Sequence, residues 1–161
     1  MSSNLDVGPF GGGNTAVFQE VRSAGVAGQN FDSLSDQIVQ FNTEVVPKSF
    51  VSLSSNQFTF DEGIYRLSIL ITGIGASNPR AFQIWAKDTS NVSYNGDSLM
   101  LSPDLDSIGY TILYLDLVIP SGGRTIEILA KCNVGTLSNS TVITPTNGDN
   151  YYQKLYATKV G

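Results

Sequence analysis

The stretch Phe50–Ile71, FVSLSSNQFTFDEGIYRLSILI, decides the fold. Phe50-Val51-Ser52-Leu53 and Phe58-Thr59-Phe60 alternate apolar and polar residues, the pattern of a strand with one wet face. Ser54-Ser55-Asn56 reads as a turn between them, and Asp61-Glu62-Gly63 as the turn that follows. Ile64–Ile71 is different in kind. Tyr65, Leu67, Ile69 and Ile71 fill one face, while Ile64 and Leu70 add apolar bulk to the other. Each sheet of a two-sheet sandwich has an outer side in water, so a strand apolar on both sides needs a second cover.

Moving outward, Ile108–Ile119 repeats the double-sided pattern, with Leu113, Leu115, Leu117 and Ile119 on one side and Tyr110, Ile112, Tyr114 and Val118 on the other. Tyr151–Val160 carries Tyr152 and Tyr156 on one face, Leu155 and Ala157 on the other. Thr125–Cys132 and Arg80–Lys87 instead alternate with a polar outer side, Trp85 excepted. Ala16–Arg22, Gln37–Val46 and Ser98–Leu101 read as further strands, and Ser23–Asp36 as a loop. Asn95-Gly96, Pro120-Ser121-Gly122-Gly123 and Asn147-Gly148-Asp149-Asn150 are turn signals. No helical period is sustained and no fixed repeat occurs. About eight to ten strands with turns between them predict an all-β sandwich. Residues 1–15, small and glycine-rich, read as an extended N-terminal arm before a head of residues 16–161. The doubly apolar strands imply self-association; the alternative is a loop or the arm folded back over that face.

Composition narrows the function. Only 14% of the 161 residues are charged, against an average of about 25%, and the net charge is −5. No basic stripe exists to neutralise phosphates, which excludes nucleic acid as a partner. No apolar run approaches a membrane span, and the first residues show no basic and apolar leader pattern. The chain has no His, so Ser-His-Asp and Cys-His catalysis and imidazole metal sites are absent. Cys132 falls in the phase of Ile126 and Ile128, as a small buried hydrophobe does. Asp104 and Asp106 do not make a calcium loop and read as turn residues. Gly11-Gly12-Gly13 lacks the Lys-Ser/Thr of a phosphate loop. The sequence therefore predicts no enzyme, no cofactor and no metal. Asn91-Val92-Ser93 and Asn139-Ser140-Thr141 match the glycosylation pattern, as chance supplies in a chain rich in Asn and Ser.

Phe50–Phe60 followed by Gly63-Ile64-Tyr65-Arg66-Leu67 resembles the strand pair of complement-type globular heads and the tumour necrosis factor fold. There an "FT" step precedes Gly-x-Tyr at the start of a central inner-sheet strand. The run is most similar to the bacteriophage branch of that fold, small virion proteins on heads or tails. Phe41-Asn42-Thr43 falls at an Asn-Thr step of that branch, with Val39 where its Arg stands. The likeness covers about residues 38–71, and more loosely continues to the C-terminus. It implies a tumour necrosis factor-like jelly roll that packs as a homotrimer through its inner sheet. Tyr65, Tyr110, Ile112, Tyr114, Tyr152 and Tyr156 are then the expected trimer-interface residues. Val7, Phe10, Gly11, Gly12 and Gly13 are the expected attachment residues, joining the arm to a major capsid or tail protein on the virion surface. A head whose loops bind host-surface glycan is the alternative. A receptor-trimerising ligand is a third, without the collagen-like stalk it would bring.

Overall fold

Fourteen strands and no helix make up the described part of the structure, a computed structural model. It describes residues 13–23, 26, 28–32, 35–74, 82–94, 97–100, 109–132, 136–138 and 150–161. The strands are β1 (Thr15–Arg22), β2 (Asn30–Asp32), β3 (Gln37–Ile38), β4 (Thr43–Val46), β5 (Val51–Ser54), β6 (Gln57–Phe60) and β7 (Gly63–Ile74). They continue as β8 (Phe82–Asp88), β9 (Ser93–Tyr94), β10 (Asp97–Met100), β11 (Gly109–Ile119), β12 (Arg124–Cys132), β13 (Thr136–Ser138) and β14 (Asn150–Lys159).

Two antiparallel sheets face each other. The first runs β10-β11-β7-β14-β1-β4; the second runs β5-β6-β12-β8-β9, with β3 also paired to β12. A small β13-β2 ladder stands apart from both. Between the sheets lies one core, to which β7 contributes Tyr65, Leu67, Ile69 and Ile71, β11 Leu113, Leu115, Leu117 and Ile119, and β12 Ile126, Ile128 and Ala130. Phe58 is the hub on the second sheet, its ring edge-on to Phe18 at 5.0 Å and to Phe41 at 5.1 Å.

The opening stretch folds as its residues dictate. Ser55 and Asn56 both take positive φ, 50° and 65°, and close the two-residue hairpin between β5 and β6. That is the primed turn whose twist matches paired strands, and Asn tolerates it well. Gly63, which opens β7, has no room for a side chain. A Cβ there would stand 2.9 Å from the Gly161 carbonyl oxygen and 2.7 Å from Lys159 Cε.

Gln37–Val46 is not one strand. β3 pairs with β12 of the second sheet, and β4 pairs with β1 of the first. The chain crosses between sheets at 39–42, where Val39 and Phe41 are buried. The Val39 and Asn42 N–H groups still reach the Ile128 and Gln19 carbonyls of the two sheets, and side-chain amides serve the two residues between them. Asn56 Oδ1 accepts from the Phe41 N–H at 2.9 Å, and Gln29 Oε1 from the Gln40 N–H at 2.9 Å. Asn42 clamps Val21 from both sides, accepting its N–H at 2.8 Å and donating to its carbonyl at 2.7 Å.

Candidate interaction face

The outer side of the first sheet carries the candidate site, and strand register lays it out in rows. Val118 lies opposite Ile64, Asp116 opposite Arg66, Tyr114 opposite Ser68 and Ile112 opposite Leu70. On the far side of β7, Tyr156 lies opposite Ser68 and Lys154 opposite Leu70. Ser68 thus stands between two tyrosines, with Val17 of β1 beyond Tyr156. Apolar side chains are open to water here: Val118 is 70% exposed, Tyr114 54% and Ile64 45%. Ile112, Leu70 and Tyr156 are half-buried, and Lys154 Nζ sits 5.2 Å from the Tyr156 ring centre.

One charged row crosses this face. Arg66 Nε donates to Asp116 Oδ1 at 3.1 Å, with both side chains exposed. In water such a pair contributes under about 1 kcal/mol. The two residues are fifty positions apart, so only the register of β7 against β11 reveals them as partners. The sequence reading did not single them out.

The outer side of the second sheet is mostly polar. Thr59 and Thr125 share a hydroxyl hydrogen bond at 3.0 Å, Gln57 donates to Glu127 at 2.6 Å, and Lys131 reaches Asp36 at 3.6 Å. Its apolar exception is the row in which Leu129 lies between Trp85 and Ile38.

Two of the expected interface tyrosines are placed otherwise than expected. Tyr65 is a core residue, fully buried on the inner side of β7. Its ring packs 4.9 Å from Phe60 and 5.7 Å from Phe50, and its hydroxyl donates to the Asp61 carbonyl at 3.0 Å. Burial, with the charge of Asp61 adding, raises its pKa. Strand alternation is the reason: residues 65, 67, 69 and 71 share the inner side. Tyr152 is buried as well: where the β1–β14 register shifts, it stands with Gln153 opposite Glu20 on the inner side and not on the side of Tyr156, and its hydroxyl donates to the Val26 carbonyl at 2.8 Å. Tyr114, Tyr156 and Ile112 do share the outer face. Tyr110 pairs with Thr72, and its side chain lies outside the described part. So do the Cys132 side chain and residues Val7, Phe10, Gly11, Gly12, Asp104, Asp106 and 147–149; Gly13 is described and exposed. Among the described residues no group of three or more Cys, Asp or Glu is placed to hold a metal ion.

A buried polar cluster sits at the β1–β14 seam. Glu20 keeps the inward phase of Ala16 and Phe18 and is fully buried, opposite a β14 bulge at Tyr152 and Gln153. Arg22 Nε and Nη2 both reach Glu20 Oε1, at 2.7 and 2.6 Å, and Nη2 also donates to Gln40. Glu20 Oε2 and both polar atoms of the Gln153 side chain are buried without a hydrogen-bond partner. Burial pushes the Glu20 carboxyl above its usual range, with Arg22, and more weakly the neighbouring Gln153 amide, opposing.

No family model matches the chain, and no curated protein matches it by sequence. Solved structures do match. The globular domain of zebrafish complement 1qA protein superposes with a TM-score of 0.55 at 13% identity, over 91% of this chain and 98% of that one. Eiger TNF from S. frugiperda superposes with a TM-score of 0.54 at 9% identity, over 91% of this chain and 92% of that one. The fold is therefore the jelly roll of complement 1q and tumour necrosis factor-like domains.

Proposed function

We propose that this chain is a structural head domain, not an enzyme, that works as a homotrimer on the surface of a bacteriophage virion. Three copies pack through the outer face of the β11-β7-β14 sheet, and the N-terminal arm attaches the trimer to the major capsid or tail protein. The carrying observation is the open apolar face with Val118, Tyr114 and Ile64, set against a mostly polar second sheet. Large apolar side chains left open together on one sheet face mark interaction sites. Phe50–Leu67 supports the virion reading through its likeness to the phage branch of the fold. Three arms on one trimer would supply avidity without any single strong contact.

Deleting residues 1–12, which precede β1, is the test. Trimers should persist and lose their binding to particles. Truncated trimers that still decorate particles would overturn the attachment role.

A further inference from the structure

Arg66 of β7 and Asp116 of β11 form a contact that the sandwich itself does not need, since both side chains are 66% exposed. Their position gives the contact meaning. One register step along the strands stand Val118 and Ile64; one step the other way stand Tyr114 and Ser68. A surface that closes over Val118 and Tyr114 must also close over the charged row between them. Lys154, the next cation on this face, lies opposite Leu70. Leu70 is four residues from Arg66, about 13 Å along the strand, so Lys154 is too distant to replace it.

We infer that Arg66 and Asp116 form a matched pair that selects how a second copy of this chain seats on the face. The inference rests on the homotrimer reading above. Opposite charges buried in contact are roughly neutral against apolar residues of similar size, whereas one charge buried alone is strongly unfavourable. The pair therefore admits a partner surface that covers both charges together. It rejects registers that part them, as single polar positions do in coiled coils.

The test is light scattering on a dilution series of the full chain, for wild type, R66M, D116L and R66M/D116L. Each single variant should raise the dissociation concentration roughly a hundredfold or more. The double variant should return to within about tenfold of wild type. Circular dichroism spectra should stay unchanged, as should urea unfolding at dilutions where every variant is a single chain, because both side chains are exposed in the single chain. Single variants that associate as tightly as wild type would overturn the inference, as would a double variant no tighter than the weaker single. Should a single variant precipitate, the exchange R66D/D116R gives the same decision, with trimers supporting the pair and single chains overturning it. A wild type that stays a single chain at every concentration removes the homotrimer reading itself, a result separate from any difference among the variants.

Discussion

Glu20 shows how one buried side chain bears on the stability of the whole. Its carboxyl pKa is raised from about 4.5 mainly by burial, and Arg22 only partly compensates. The folded chain thus holds this proton more tightly than the unfolded one. The ionised form weakens the fold at neutral pH, and that penalty fades as pH falls through the raised value toward 4.5. Urea unfolding of wild type and E20Q across that window should show wild type gaining on the variant as pH drops. A difference that stays constant or reverses would contradict the assignment. Gly123 makes a second prediction at this scale. With φ at +74° and a Cβ position 2.6 Å from the Phe60 carbonyl oxygen, Gly123→Ala should cost about 1–3 kcal/mol in the same measurement. Side-chain type misled the sequence reading at Tyr65. An aromatic at a Gly-x-Tyr step looks like an interface residue, yet alternation with Leu67 and Ile69 already directs it inward.

Among the elements, the long strands were legible and the short ones were not. β7 and β11 run twelve and eleven residues, long enough for the period of two to show on both faces. β2, β9 and β13 span two or three residues, too few for any period. The crossing at 39–42 escaped notice for another reason: Val39 and Phe41 keep the alternation of Gln37–Val46 while the backbone changes partners. What marks the crossing is Asn56, which serves the β5–β6 turn through its backbone and the Phe41 N–H through its side chain. Asn56→Gly keeps the turn and loses only the hydrogen bond, and should destabilise by about 1–3 kcal/mol. Asn56→Ala adds positive-φ strain and should be worse. Equal effects of the two variants would show that the side-chain bond, not the turn, carries the whole contribution.

At the scale of the molecule, face chemistry follows from sequence, but rows across strands do not. Val118 and Tyr114 could be assigned to one side of a strand from spacing alone. The pairing of Arg66 with Asp116 requires the register of two strands whose contact lies fifty residues apart. Val118, 70% exposed, separates assembly from folding. Val118→Lys should leave the unfolding free energy of the single chain within about 0.5 kcal/mol, while abolishing association seen by sedimentation. Loss of fold in that variant would place Val118 in the core instead. The central claim is that the outer face of the β11-β7-β14 sheet is closed by copies of the same chain. Its most direct measurement is the solution mass of the unmodified protein at micromolar concentration. The account requires three chains per particle; a folded, soluble single chain would contradict it.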